Sequence, residues 1–368
     1  MKRADAGSPP IGSTDLHLST HLFHPPRLTI AREMRGLTKA ELAQRIGKSA
    51  AAVSQFEAAG RVSCRPDAST LGTIALVLGV PVNFFAPRYP AARLDLEQCH
   101  FRSLRSTSQR DRRKLLAVGT LTCDLLRFLE EHLELPTEGV SQVARTVASA
   151  EEIERAALDL RRGWGLGLGP IPNVTRLLES HGVVVVHIPA GCSEVDAFST
   201  WSDGRPLVFL VMEKGSTSRT RFDASHELGH LVMHTDACPG NAELERQANR
   251  FASAFLLPAE TFASECPRWL NWDQLYELKA RWRVSVQALV RRAFDLQLLS
   301  KASYRRAFVH MNKTGERQNE RGEPSPEPPT LIAKSLEELA PDFTMEDVGR
   351  HLGLGSQQIA RLLQDGSW

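Results

Sequence analysis

"ASHELGHLVMH", residues 224–234, places His226 and His230 four positions apart, with Glu227 directly after the first histidine. On a helix four residues make about one turn, so both imidazoles leave the same face and converge on one metal ion. Glu227 stands beside them, within reach of a metal-bound water, where a carboxylate serves as general base. A pattern this short also arises by chance, so it demands a third ligand. His234 repeats the spacing, yet it lies about 12 Å along the axis from His226. That is too far for one ion with zinc–nitrogen bonds of ~2.0–2.1 Å. No glycine follows His230 to bend the helix there, so His234 is read as a packed or capping residue near the helix end.

"ELERQANRFASAFLLP", residues 243–258, supplies the better ligand. Leu244, Ala248, Phe251 and Phe255 recur at helical spacing as a buried stripe. Glu245 and Asn249 are one turn apart, beside the small Ala248 and Ala252 that permit a close helix approach. The expectation is a site for one Zn2+ per chain, made by His226, His230 and Glu245, with a fourth position left for water. Asn249 then steers a histidine ring or Glu245 itself. Glu243, turned away from this face, and Asp236, on the connecting loop, are weaker candidates.

The front of the chain carries different chemistry. Residues 1–114 hold 18 Lys and Arg against 9 Asp and Glu, whereas the remainder holds 27 against 34. A basic front end suits a polyanionic partner. Within it, "LTKAELAQRIGKSAAAVSQFEAAG", residues 37–60, reads as helix, glycine turn, helix. Thr38 and Ser49 stand at the two N-cap positions. Leu42, Ala43 and Ile46 face inward from the first helix and Val53 and Phe56 from the second; the small Ala43 lets the helices cross closely. Such a pair lays its second helix in the major groove of double-stranded DNA, here presenting Ser49, Ala50, Ala51, Ser54 and Gln55. Gln55 suits adenine and the alanines a thymine methyl. Lys39, Arg45, Lys48 and Arg61 are placed for phosphates. The alanine-rich surface implies modest sequence discrimination.

No apolar run approaches the ~18 residues of a membrane span, and no secretory leader is visible before Ile11. The six cysteines are scattered, as reduced structural thiols are. The expectation is a cytoplasmic protein with no membrane partner. "GWGLGLGPIPN", residues 163–173, lacks the lysine of a phosphate loop and reads as a turn, with Asn173 capping the next helix. "GVVVVHI", "DAFSTW" and "PLVFLVM" read as strands. The helix of the histidines begins near Ser216, and further helices are expected over 242–256, 258–264, 272–281 and 285–297. No internal repeat is visible.

Two resemblances follow. Residues 26–87 are similar to the phage-repressor (XRE) helix-turn-helix. "RTRFDASHELGHLVMH" with "ERQANRFASAFLLP" resembles the ImmA/IrrE family of zinc metallopeptidases, and the combined likeness covers roughly residues 26–312. It implies a gluzincin-like site with His226, His230 and Glu245 on zinc and Glu227 as catalyst. The protein substrate it implies is a helix-turn-helix repressor, cleaved in a stress or mobile-element response of a bacterium or phage. Arg221, His234 and Tyr276 stand unranked as candidates to stabilise the transition state. Two other readings stay open: a non-catalytic DNA-binding regulator using the zinc fold as sensor or dimerisation module, and an antitoxin-like partner of a toxin. The expected fold is α+β and mainly helical. It comprises a disordered 1–22, an all-α DNA-binding domain over 23–90, a helical connector over 91–150 and a zincin-like domain with a small sheet over 151–311. A proline-rich linker over 312–332 and a small helical tail over 333–368 complete it, and the assembly expected is a homodimer.

Overall fold

The computed structural model describes residues 22–58, 65–86, 94, 99–101, 108–137, 139–140, 149–188, 197–211, 216–234, 241–317 and 319–364. The chain forms two compact units. The first is Met1–Leu94 with Ser108–Leu133 and Ser335–Trp368; the second is Asp95–Thr107 with Glu134–Lys334. No described helix is long and apolar enough to cross a membrane.

The first unit opens with α1 (Pro25–Met34), whose prolines occupy the first turn, where a missing N–H costs nothing. In α2 (Lys39–Arg45) Thr38 and Glu41 cap each other's backbone, a reciprocal capping box. Ser49 caps α3 (Ala50–Glu57) and Asp67 caps α4 (Ala68–Leu78), which Gly79 ends with φ +65°. A short 3-10 turn, η1 (Val82–Phe85), buries Phe84 and Phe85. α5 (Gln109–Glu130) is a long amphipathic helix within the stretch expected as a helical connector over 91–150, capped by Ser108. Two buried arginines tie these pieces together. Arg27 of α1 pairs with Asp124 of α5 at 2.7 Å. Arg32 donates to Glu57 of α3 at 2.5 Å and to the Leu37 carbonyl at 2.7 Å.

The second unit contains a four-stranded sheet: β1 (His100–Phe101), β2 (Val184–Ile188), β3 (Ala197–Ser202) and β4 (Arg205–Val211), in the order β1-β3-β4-β2. β3 and β4 are an antiparallel hairpin joined through Asp203 and Gly204, both at positive φ, as a tight hairpin turn requires. β2 runs parallel to β4, and β1 pairs with β3 for two residues. Around the sheet lie α6 (Ala150–Gly163) and α7 (Val174–Ser180), the latter capped by Asn173 as expected. The glycine-rich turn between them wraps a buried arginine. Arg161 donates to the carbonyls of Gly167 and Gly169, and to Phe255 at 2.6 Å. α8 (Thr217–Met233) carries the histidines and begins beside Ser216, where its start was expected, with Ser216 as its cap; α9 (Ala242–Leu256) packs against it. α10 (Ala259–Glu265), α11 (Trp272–Trp282), α12 (Val286–Asp295) and α13 (Lys301–Thr314) follow.

The stretch expected as a linker is an ordered strap on this unit. Residues 312–314 finish α13, and three glutamates of the following stretch each seize a helix N-terminus. Glu320 accepts from Val286 N at 2.7 Å, and Glu323 from Ser218 N and Oγ, both at 2.9 Å. Glu327 accepts from Val174 N at 2.8 Å and pairs with the buried Arg221. Glu320 and Glu323 together enclose Lys279, itself only 1% exposed. Anions at helix starts satisfy the orphan N–H groups and the macrodipole together. Proline composition suggested an open spacer; the three acids spaced through it make it a clasp.

The chain returns to the first unit within α14 (Leu331–Leu339), at Ser335, and continues with α15 (Met345–Leu352) and α16 (Ser356–Gln364). Phe343 and His351 close on Phe128 of α5, at ring distances of 5.5 and 4.7 Å.

Candidate metal centre and nucleic-acid interface

Helix α8 lays His226 and His230 on one face, as the spacing predicts, and α9 brings Glu245 to them. The two Nε2 atoms lie 3.1 Å apart. Glu245 carboxylate oxygens lie 3.3 Å from each. The approach is close because Gly229, between the histidines, faces Phe251 of α9. A Cβ there would meet the ring at 3.1 Å. Within the described residues these three are the group that meets the spacing of a metal site. Two ligands ~2.0–2.1 Å from a shared tetrahedral zinc stand about 3.3 Å apart, so the triangle has the right size.

The outer hydrogen bonds fix which nitrogens face the centre. Asn249 donates from Nδ2 to the Glu245 carbonyl at 2.8 Å, so its Oδ1 is turned to His226 Nδ1 at 3.2 Å. That nitrogen must carry the proton, leaving Nε2 a bare lone pair. A second relay does the same for His230. Gln247 Oε1 accepts from His234 Nε2 at 2.8 Å, so His234 Nδ1 is the acceptor for His230 Nδ1–H at 3.0 Å. Two imidazole lone pairs and a carboxylate therefore face one another with no hydrogen between them. Only a cation reconciles that set, and nitrogen with carboxylate oxygen suits zinc. Burial holds the His230 imidazole down at about 4, so it is neutral and fit to ligate.

Glu227 is fully buried, and Ser199 of β3 donates to its Oε2 at 2.6 Å. Sequence reasoning missed Ser199, since one serine on a strand 28 residues upstream carries no spacing signal. The predicted Asn249 stands where expected. His234 is the buried C-cap residue of α8, with the added task of orienting His230. Glu243 pairs with Arg246, outside the triangle. Asp236 lies outside the described residues. Of the unranked stabilisers, Arg221 is occupied by Glu327 and the Ile171 carbonyl at 2.7 Å, and Tyr276 lies beneath the Arg321 guanidinium.

On the first unit, Arg45, Lys48, Ser49, Ala50, Ala51 and Gln55 are exposed and Ser54 half-buried, while Val53 is fully buried. Ser49 Oγ accepts from Ala52 N, which keeps its hydroxyl at the helix start. Lys39 leans on Glu57 at 3.5 Å, so part of its charge is committed within the fold. Arg61 lies outside the described residues.

Comparison with known families agrees with both halves. Residues 28–85 match the family described as Helix-turn-helix, and residues 178–294 match the family described as IrrE N-terminal-like domain. No curated protein matches the chain.

Proposed function

We propose that this chain, which joins an XRE-type helix-turn-helix to a domain of the ImmA/IrrE peptidase family, is a cytoplasmic, bacterial or phage-encoded transcription regulator with a zinc-dependent endopeptidase. Its partners are double-stranded DNA and a protein substrate, a helix-turn-helix repressor, and it acts as a homodimer. The observation that carries the enzymatic half is the triangle of His226, His230 and Glu245, with every outer hydrogen bond aimed to leave lone pairs inside.

A zinc ion held there supplies a Lewis acid for the scissile carbonyl and acidifies a water. Glu227, oriented by the Ser199 hydroxyl, takes the proton of the attacking water and returns it to the leaving amine. Asn249 and His234 hold the two imidazoles with Nε2 turned inward. On the DNA side, Gln55 reads base edges while Arg45 and Lys48 hold phosphates.

The test is Glu227→Gln, which keeps size and hydrogen bonding but removes the base. Zinc content and DNA binding should persist, and cleavage of a repressor encoded beside the gene should fall at least ~100-fold. The burial of His226, Glu227 and His230 at 1% or less favours a second reading, in which zinc serves sensing rather than catalysis. Reporter output under inducing stress that is the same for Glu227→Gln and the native chain would establish that reading instead.

A further inference from the structure

The tail of the chain repeats the architecture of its front at a constant offset. Thr344 caps α15 with a reciprocal box to Asp347, as Thr38 caps α2 with Glu41. Gly353 turns at φ +70° and Gly47 at φ +66°. Leu354 N closes onto Gly349 O at 2.7 Å, and Lys48 N closes onto Ala43 O at 2.9 Å. Ile359 is fully buried at the centre of α16, where Val53 is fully buried at the centre of α3. Each of these residues lies 306 positions from its counterpart, without insertion or deletion. The demand for a small residue at the helix crossing is met by Ala43 in one and Gly349 in the other. A Cβ on Gly349 would lie 2.5 Å from the Leu354 carbonyl oxygen. Only Thr and Gly are identical between 38–57 and 344–363, which is why no repeat shows in the letters.

We propose that residues 331–364 are a second helix-turn-helix, with α16 as a second reading helix for double-stranded DNA. The positions that α3 exposes as Ala50, Ala51 and Gln55 are exposed in α16 as Ser356, Gln357 and Arg361. This set is the better reader. Glutamine matches the adenine edge and arginine the guanine edge, whereas the alanines of α3 offer only apolar contact. The tail belongs to the same compact unit as the front. Gln358 Nε2 donates to the Gly79 carbonyl, and the backbone at Gly353 abuts Phe84. Arg361 also continues the basic surface of the front. The basicity of Arg35 is lowered by burial first and then by the charge of Arg361. The tail itself carries more acid than base, but Glu346 and Asp347 are partnered by Arg350. Phosphate attraction therefore comes from the basic front, and the tail contributes discrimination.

The reading goes beyond the first helix-turn-helix and is independent of the zinc site. The test selects preferred sites from a random duplex pool with the full chain. Three proteins are compared: native, Gln55→Ala, and the double variant Gln357→Ala/Arg361→Ala, whose exposed positions leave melting and zinc content unchanged. The native site should contain two informative segments. The double variant should lose preference in one of them by roughly 5- to 150-fold per affected base pair, and Gln55→Ala in the other. Identical base preferences for the double variant and the native chain would overturn the proposal, while leaving the first reader intact. So would an unchanged site with a changed sedimentation mass, which would make the α16 face a contact between copies. Enrichment of no site by the native chain would overturn this proposal and the DNA half of the proposed function together.

Discussion

Two hydrogen-bond relays set the tautomers of the candidate metal centre. One runs Glu245 carbonyl to Asn249 to His226; the other runs Gln247 to His234 to His230. Each ends on an Nδ1, so each leaves an Nε2 lone pair pointing at the Glu245 carboxylate. The native chain should hold about one zinc, and Glu245→Ala should strip it by removing a direct ligand. Asn249→Leu and His234→Phe, which only release ring orientation, should weaken zinc about 10- to 100-fold. Competition with a chelating dye measures all three, and full occupancy in Glu245→Ala would remove that residue from the ligand set. Much of this centre was legible in the letters. The helical period forces His226 and His230 together, and the small Ala248 and Ala252 beside Glu245 announce a close helix. The rest depends on pairs that only tertiary contact creates. Nothing in the sequence says that Ser199 meets Glu227, or that Gln247 lies under His234.

Among the elements, β2 carries a cost that the apolar run "GVVVVHI" hides. His187 sits in that strand, its Nε2 meets no hydrogen-bond partner among the described residues, and burial pushes its imidazole down to about 4. Its folded value lies below the unfolded 6.5, so between the two the unfolded chain binds a proton that the folded strand refuses. Stability contributed by the neutral ring is present above pH 6.5 and is lost as pH falls towards about 4. The loss is on the order of 2–3 kcal/mol for this residue. His187→Phe keeps the ring and removes the titration, so its melting temperature should fall less than that of the native chain from pH 7 to pH 4.5. His230 and His234 are also lowered by burial and leave a residual slope in both proteins. Equal slopes in the two proteins would show that His187 is solvated in the folded state. Helix caps were the most legible feature at this scale: Thr38, Ser49 and Asn173 all cap the helices expected of them. The short β1 and the parallel pairing of β2 with β4 were not legible, because pairing partners are set by the sheet and not by the strand.

For the whole molecule, the decisive feature is that the chain leaves the second unit only after Lys334. Composition placed that exit at 312, since proline and charge usually mark a spacer. The acids of this spacer have cationic and N–H partners in four helices instead. Glu320 caps α12, Glu323 caps α8, Glu327 caps α7, and Lys279 of α11 is enclosed by the first two. Cutting after 314 and cutting after 334 should therefore have different outcomes. Residues 1–334 keep every one of these bonds, so the second unit should melt, and release any zinc it is loaded with, as it does in the full chain. Residues 1–314 lose three helix caps at about 1 kcal/mol each, together with the partners of Lys279 and Arg221. At 2–4 °C per kcal/mol for a unit of this size, the zinc-release transition should fall by about 6–12 °C. Water reaching the freed cations limits the loss to this range, since charges uncovered together with their partners are resolvated rather than stranded. Both truncations remove the helices that cover Phe128, so the transition of the first unit should drop alike in the two. Coincident zinc-release temperatures for 1–314 and 1–334 would show that the strap adds nothing, and that the acids cap helices already stable without them.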